Sequence, residues 1–339
     1  MIKSALAKIV AVTNLTQDEA FAVMSQIMSG NATEAQIAAF ITALRMKGET
    51  IDEITGFSKA MRQFSLKISP NINDTMLDTC GTGGDGAHTF NISTIAAITA
   101  SAAGVVVAKH GNRSVSSLCG SADILQELGV KIDISADSVK KCIEKIGIGF
   151  MFAPSFHPAM RYAAAPRKQI GIRTVFNLLG PLTNPAIANT QLVGLYNEGL
   201  LEKITGVLRN LGLKRALVVC GKDGLDEITV TSKTSVCELT DGLIKKYEIE
   251  PEDFGMIKHS IKELVGGDAK VNAKIANSVL NGQKNACLDA VVINAGAGIY
   301  VAKNLSSISD GIKLAFEAIK SGAAKAKLEA LVKLTNELS

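Results

Sequence analysis

Short apolar segments alternate with segments of helical character between residues 76 and 220. The strand candidates are 76–80, 105–109, 149–153, 191–196 and 216–220, and helices such as 95–103, 122–128 and 198–211 separate them. This alternation is typical of a parallel sheet with right-handed helical crossovers. Such crossovers place every strand-to-helix loop at the carboxyl edge of the sheet, where α/β proteins bind their ligands. The polar loops after these strands are therefore predicted to converge.

The chain begins and ends with helical patterns. Residues 1–68 show only helical periodicity, with two capping-box signals, Thr16 with Glu19 and Thr33 with Gln36. Residues 70–73 resemble a linker, and after residue 267 the pattern is again mainly helical, clearest in 272–280, 288–301 and 311–319. The predicted fold class is α/β: a small helical N-terminal domain at 1–70, then a larger α/β domain at 71–339 with a mainly parallel central sheet and surrounding helices.

Composition limits the classes of function. The longest apolar stretch, 286–302, is interrupted by Asp289 and Asn294, so we interpret it as a buried helix and expect no membrane partner. The six cysteines lack CxxC or zinc-finger spacing, and residues 1–12 lack an apolar signal core, so we expect a reducing, cytoplasmic location. The net charge of +4 comes from dispersed lysines and aromatic residues make up only 4%, so an anionic small molecule fits better than nucleic acid.

A glycine-rich loop follows the first predicted strand. Residues 81–86 read Gly-Thr-Gly-Gly-Asp-Gly, and residues 91–94 precede the next helix, so backbone N–H groups and a helix N-terminus face one anion site. The letters also fit a dinucleotide-binding loop, but that loop requires an acidic residue about 20 positions further on. Here the second strand ends in Lys109-His110, and residues 85–91 delay the helix. A phosphate site is the favoured interpretation, and a purely structural glycine turn is the alternative.

A second polar loop, residues 109–121, leaves the second strand. It carries Lys109, Arg113, four serines and two glycines, which suit another phosphate. A solvated turn is the alternative for the loop, and a helix cap is the alternative for Ser121. A third loop contains Asp226-Glu227 just after the strand 216–220. Beside a diphosphate, these hard oxygen donors indicate Mg²⁺, and the alternative is an exposed acidic turn.

These motifs together resemble those of the anthranilate phosphoribosyltransferase family. The resemblance rests on residues 78–94, 109–129, 156–185 and 223–231 and extends over nearly the whole chain. It implies transfer of phosphoribose from phosphoribosyl pyrophosphate to anthranilate in tryptophan biosynthesis. It also implies a homodimer joined through the helical domain. A segment near 167–190 would complete that helical domain.

The resemblance assigns roles to individual positions. For the metal it implies two Mg²⁺ ions per subunit, held by Ser93, Asp226 and Glu227. For anthranilate it implies Gly81, Asn112 and Arg167, with His110 and His157 nearby. For the phosphoribosyl donor it implies Gly81, Gly84, Asp85, Thr89, Asn91, Ile92, Ser93, Thr94, Lys109, His110, Gly111, Asn112, Arg113, Ser114, Val115, Ser116, Ser117 and Ser121.

The chemistry accounts for the acceptor residues. Arg167 suits the carboxylate of anthranilate and Asn112 suits its amine, although Arg167 also fits a solvated basic helix face and His157 a cap before Pro158. A neutral aryl amine needs no strong general base, so positioning by Asn112 and Arg167 is predicted to dominate. The family commonly has lysine and serine where this chain has Leu118 and Cys119, which puts donor contacts by these two residues in question.

Three rival functions remain at this point. A pyrimidine nucleoside phosphorylase shares the fold and a related glycine loop, but the Asp226-Glu227 pair argues for a metal-bound diphosphate instead. A transferase for another aromatic amine and a non-catalytic relative that binds nucleic acid are the other two.

Overall fold

A computed structural model describes residues 1–73, 75–114 and 118–339. The predictions for Val115, Ser116 and Ser117 lie outside the described residues. The chain opens with four helices, α1 (Ile2–Val10), α2 (Gln17–Met28), α3 (Glu34–Lys47) and α4 (Ile51–Gln63). Capping boxes begin α2 at Thr16, α3 at Thr33 and α4 at Thr50, so both predicted capping boxes are confirmed. Each box satisfies two N–H groups that the helix itself leaves without a partner.

A seven-stranded sheet forms the centre of the larger part of the chain. Its strands are β1 (Met76–Gly81), β2 (Val106–Gly111), β3 (Ile148–Phe152), β4 (Thr190–Gly194), β5 (Arg215–Gly221), β6 (Thr234–Thr240) and β7 (Leu243–Ile249). They lie in the order β3-β2-β1-β4-β5-β6-β7. The first five strands are parallel, as predicted, and β6 and β7 extend the sheet as an antiparallel hairpin that the sequence analysis missed.

Helices cover the sheet and close the chain. They are α5 (Ile92–Ala102), α6 (Ser121–Glu127), α7 (Ala136–Ile146), α8 (Ala153–Phe156), α9 (Arg161–Ile170), α10 (Phe176–Leu179), α11 (Leu201–Asn210), α12 (Ala269–Leu280), α13 (Ala286–Lys303), α14 (Ile308–Lys320) and α15 (Ala323–Glu337). Helix α13 is long and apolar enough to cross a membrane, but 83% of it is buried among other residues. The interpretation of this stretch as a buried core helix is confirmed.

The helical unit at the N-terminus shares its hydrophobic core with later parts of the chain. Side chains from α2, α3 and α4 pack in one cluster with Ala163, Phe176 and Leu179 and with Val193 and Val218 of the sheet. Helix α9 packs directly against α3. The segment that follows β3 is therefore held between the helical unit and the sheet. The domain boundary at residue 70 stays a prediction.

Candidate functional site at the carboxyl edge of the sheet

The glycine loop and the acidic turn meet at the carboxyl ends of β1, β4 and β5. Gly81 pairs with Gly194 across β1 and β4, and the Thr82 amide donates to the Gly194 carbonyl at 3.0 Å. The Gly83 amide donates to Asp226 Oδ2 at 2.7 Å, and the Ser93 amide donates to Glu227 Oε1 at 3.1 Å. The structure therefore brings the glycine loop, the start of α5 and the acidic pair to one place.

Two glycines make this approach possible. A Cβ atom on Gly81 would lie 2.2 Å from Asp226 Oδ2, and one on Gly194 would lie 1.5 Å from the Asp226 carbonyl oxygen. Since real Cβ atoms do not come so close to backbone, any larger residue at 194 would push the acidic turn away from the sheet. In the loop itself, Gly83 and Gly84 have φ angles of 66° and 77°, which favour glycine.

The acidic pair carries excess negative charge in a crowded site. Burial raises the pKa of Asp226, and the neighbouring Asp85 raises it further. Burial likewise raises the pKa of Glu227, with a contribution from Asp226, whereas Lys109 lowers it. Because the charged forms of both carboxylates are disfavoured without a further cation, the site suits a divalent metal ion.

The protein provides only part of a coordination shell. Within residues 1–73, 75–114 and 118–339, no three His, Cys, Asp or Glu side chains form a metal-binding group. The predicted set is instead a hydroxyl, Ser93, and two carboxylates, Asp226 and Glu227. Such an open set fits Mg²⁺, which usually keeps water and substrate phosphate ligands beside one or two carboxylates.

Lys109 lies beneath the site rather than in the solvent-facing loop. It is only 4% exposed, and its Nζ donates to the Thr79 carbonyl at 2.6 Å and contacts Ser93 Oγ at 3.5 Å. Burial lowers its pKa, while Asp78 and Glu227 oppose that shift. The ammonium group therefore stabilises the carboxylates from below and orients Ser93.

The start of α5 is linked to the second polar loop. Asn91 precedes α5 and donates from Nδ2 to the Cys119 carbonyl at 3.0 Å, and its Oδ1 accepts from Asn272 Nδ2 at 2.9 Å. Thr89 pairs with Val265, while Ile92 and Thr94 are buried on the first turn of α5. The predicted donor residues of this segment thus include both loop and core positions.

Asp123 organises the second polar loop. Its carboxylate accepts from the Ser114 amide at 3.1 Å and the Gly120 amide at 2.9 Å, and it forms a 2.7 Å ion pair with Arg113. Ser121 is the first residue of α6, after Gly120 as N-cap, and its hydroxyl donates to the Asn112 carbonyl at 3.2 Å. Arg113 therefore lies along α6.

The chain's departure from the common family pattern falls at the end of this loop. Leu118 is 74% exposed, and Cys119 is buried. Burial raises the pKa of the Cys119 thiol to about 11. An exposed apolar side chain thus stands where the family commonly has a cation.

Arg167 and His157 lie on the segment that follows β3, and His157 lies beside His110 of β2. Arg167 lies on α9 with its guanidinium 5.0 Å from the centre of the Phe176 ring, and burial lowers its pKa. The rings of His110 and His157 are 5.0 Å apart, and both Nε2 atoms are buried with no hydrogen-bond partner among the described residues. These two nitrogens are unused polar groups suited to a bound molecule.

Sequence reasoning missed Asp78 and Asn184. Asp78 is fully buried on β1; it accepts from the His110 amide at 3.2 Å and from Asn184 Nδ2 at 2.8 Å. Asn184 also donates to the Ala108 carbonyl at 2.8 Å. Asp78 thus fixes the backbone of His110 and the segment after α10. The sequence signal that could have identified Asp78 is that it is a lone charged residue within the predicted strand 76–80.

Arg173 was missed as well. Its guanidinium donates to the Gly84 carbonyl and lies 4.2 Å from the centre of the Tyr196 ring. Nothing in the local sequence pattern distinguishes it from the solvated cations around it.

The helical unit and the α/β part each match a family model. Residues 3–65 match the model of the helical bundle domain of a glycosyl transferase family, and residues 73–325 match the model of its α/β domain. The chain belongs to this glycosyl transferase family.

Full-length relatives place the chain among the anthranilate phosphoribosyltransferases of this family. The anthranilate phosphoribosyltransferase of Acetivibrio thermocellus is 53% identical, with 99% of this chain and 97% of the relative covered. That of Methanobrevibacter smithii is 53% identical, with 99% and 100% covered. These relatives favour a transferase over the rival pyrimidine nucleoside phosphorylase.

Solved structures of anthranilate phosphoribosyltransferases are also similar to this chain. The anthranilate phosphoribosyltransferase of Thermus thermophilus has a TM-score of 0.93 and 40% identity, with 98% of this chain and 99% of that chain covered. A Saccharomyces cerevisiae anthranilate phosphoribosyltransferase, solved with PRPP and Mg, has a TM-score of 0.91 and 28% identity, with 99% and 98% covered.

The two buried histidines should make the protein less stable in acid. Burial lowers the pKa of His110 to about 3 and that of His157 to about 4, although a bond to the Thr183 backbone opposes the shift at His157. The unfolded chain binds protons below about pH 6.5 that the folded chain does not bind, so the free energy of unfolding falls as the pH drops from there towards 4. One histidine contributes at most about 1.4 kcal/mol per pH unit. In urea titrations from pH 7 to 5, His157→Gln should show a shallower fall than the wild type.

Other groups also titrate in this range, so the difference between proteins is the quantity to compare. The exposed His88 serves as control, and His88→Asn should keep the wild-type slope. If the free energy of unfolding of His157→Gln changed with pH as steeply as that of the wild type and of His88→Asn, the assignment of a buried neutral imidazole would be contradicted.

Proposed function

We propose that this chain transfers the phosphoribosyl group of phosphoribosyl pyrophosphate to the amine of anthranilate and releases pyrophosphate. The observation that carries the proposal is the junction of the glycine loop with the acidic turn, through the bonds from the Gly83 and Ser93 amides. Saccharomyces cerevisiae relatives have been solved with PRPP and Mg and with 4-fluoroanthranilate, which supports both substrates.

The donor would lie along the glycine loop and the N-terminus of α5. Asn91, the N-cap of this helix, makes no side-chain cap bond, and the Ser93 amide of the first turn donates to Glu227. Helix N-termini attract phosphate because their N–H groups and the helix dipole both favour negative charge. The predicted contacts from Asn112, Arg113, Ser114 and Ser121 would come from the loop that Asp123 holds.

Asp226, Glu227 and Ser93 would hold Mg²⁺, two ions per subunit. When bound, Mg²⁺ neutralises the charge of the departing pyrophosphate. The glycine-loop amides would contribute to the same end, and Lys109 keeps Ser93 and Glu227 in place.

Anthranilate would be oriented by Arg167 on its carboxylate and by Asn112 on its amine, next to Gly81. His110 and His157 stay neutral below pH 7, so their open Nε2 positions offer hydrogen bonds without a competing positive charge. The amine nitrogen forms a bond to the anomeric carbon as the bond from that carbon to pyrophosphate breaks, and the nitrogen then releases a proton. Alignment is the main contribution of the protein, because a neutral aryl amine needs no strong base.

The decisive experiment follows the loss of anthranilate fluorescence with phosphoribosyl pyrophosphate, with and without Mg²⁺. We expect turnover that requires all three, and Asp226→Asn should reduce kcat/KM by about a hundredfold because it removes a charged ligand at the diphosphate. Asp133→Asn, whose side chain is 66% exposed, is the matched control and should behave as the wild type. Phosphorolysis of a pyrimidine nucleoside without any anthranilate turnover would contradict the proposal.

The acceptor assignment predicts a separation of the two substrates. Arg167→Ala should raise KM for anthranilate by about 10- to 100-fold, the effect of losing a charge-assisted hydrogen bond, and leave the Kd for phosphoribosyl pyrophosphate unchanged. Asn112→Ala should also raise KM for anthranilate. The adjacent and exposed Lys168 provides the control Lys168→Ala. Equal losses for both substrates, measured by steady-state kinetics and calorimetry, would argue against these roles.

The chain is further proposed to form a homodimer through its helical unit, in the cytoplasm. Val10, Val12 and Met46 are 67%, 74% and 84% exposed, and a 2.8 Å bond from Lys47 to Asn14 places the ends of α1 and α3 side by side. A contiguous apolar surface is typical of an interface, and we propose that these three side chains contribute to one. All six cysteines are unpaired, which is usual in a reducing compartment.

In analytical ultracentrifugation the wild type should sediment as a dimer, and Met46→Glu should dissociate it by placing a charge in the apolar contact. Leu243→Glu changes an equally exposed side chain on β7 and should leave the dimer intact. A wild-type monomer at micromolar concentration would be the contrary result.

A further inference from the structure

Arg173 connects two parts of the site that the reaction must align. It follows α9 by three residues, after Gly171, which ends that helix in a left-handed conformation. Its guanidinium donates to the carbonyl of Gly84 in the glycine loop and stacks 4.2 Å from the centre of the Tyr196 ring, just beyond β4. One side chain thus contacts the loop after β1 and the segment after β4.

The glycine loop is held from two sides at adjacent residues. Asp226 accepts from the Gly83 amide at 2.7 Å, and the Arg173 guanidinium donates to the carbonyl of the following residue, Gly84. A Cβ on Gly84 would overlap the Arg173 guanidinium, so glycine at 84 leaves the space that the arginine occupies. Glycine-rich backbone samples many conformations, and these two contacts restrict it to one.

The other end of the connection is the segment that carries Arg167. Helix α9 packs against α3 of the helical unit, and Arg167 lies over Phe176, three residues beyond Arg173. Arg173 therefore joins the segment assigned to anthranilate to the loop assigned to the diphosphate. A change in the position of one would be transmitted to the other through this side chain.

We propose that Arg173 is a positioning residue that fixes the glycine loop relative to the Arg167 segment and thereby aligns donor and acceptor. This role rests on the proposed function, although its test by diphosphate binding needs no turnover. The role needs the shape of arginine as well as its charge, since only a planar guanidinium can stack on Tyr196 and donate to Gly84 at once.

Calorimetry with inorganic pyrophosphate and Mg²⁺ tests the proposal on the full-length chain without turnover. Arg173→Ala should weaken pyrophosphate binding by about tenfold or more, because a charge-assisted hydrogen bond that orders the loop is lost. The pyrophosphate affinity of Arg173→Lys should fall almost as far, since lysine keeps the charge but loses the stacking geometry. Full rescue by lysine would overturn the proposal in favour of simple charge attraction to the diphosphate.

The aromatic partner provides an independent variant in case Arg173→Ala does not fold. Tyr196→Leu should weaken pyrophosphate binding in the same direction, whereas Tyr196→Phe, which keeps the ring, should match the wild type. Arg161→Ala is the matched control, because Arg161 also stacks on a tyrosine, Tyr162, at 4.8 Å but lies away from the loop. Wild-type binding in both Arg173→Ala and Tyr196→Leu would overturn the proposal, as would an equal loss in Arg161→Ala.

Kinetics then separates this role from a general loss of structure. With anthranilate as acceptor, Arg173→Ala should raise KM for phosphoribosyl pyrophosphate and lower kcat, while KM for anthranilate changes less than twofold. A rise confined to KM for anthranilate would count against the role. Absence of wild-type turnover with normal pyrophosphate binding would refute the proposed function, yet the calorimetric comparison would still decide the role of Arg173.

Discussion

The site depends on the contact between an acidic turn and a glycine-rich loop, made by the bonds from the Gly83 and Ser93 amides to Asp226 and Glu227. The contact exists only because Gly81 and Gly194 leave no side chain between the turn and the strand ends. It brings together parts of the chain that are more than 130 positions apart. The parallel order of β1, β4 and β5 is what makes these distant loops neighbours.

Burial sets the electrostatic character of the surrounding groups. Lys109, Asp78 and the acidic pair lie within a few residues of the strand ends, and burial disfavours the charged form of each one. Lys109 and the Ser93 amide oppose this pKa shift at Glu227, and Asp78 and Glu227 oppose it at Lys109. The two histidines lack such a partner at Nε2 and stay neutral. One region of the sheet edge is thus strongly polar and charged, and the other is polar but uncharged, which suits an anionic donor beside an aromatic acceptor.

Much of this arrangement could be predicted from the sequence, because it follows from local patterns. The capping boxes at Thr16 and Thr33, the five parallel strands and the buried helix 286–303 each leave a signal within a few residues of themselves. The hairpin β6–β7 was missed because β7 is an exposed edge strand with Lys245 and Lys246 in its middle, so it lacks the apolar alternation of a half-buried strand. Asp78 and Arg173 act through partners far away along the chain, and only the folded structure identifies those partners. The role of each predicted contact residue stays a prediction.

The shared hydrophobic core has a consequence for how the first 65 residues behave. Their apolar faces are completed by Ala163, Phe176 and Leu179 and by strand residues such as Val193 and Val218. A fragment made of these helices alone would leave that surface in contact with water and lose the corresponding stabilisation. The bundle should consequently depend on the larger body for its stability, and the two parts should lose their structure together on unfolding.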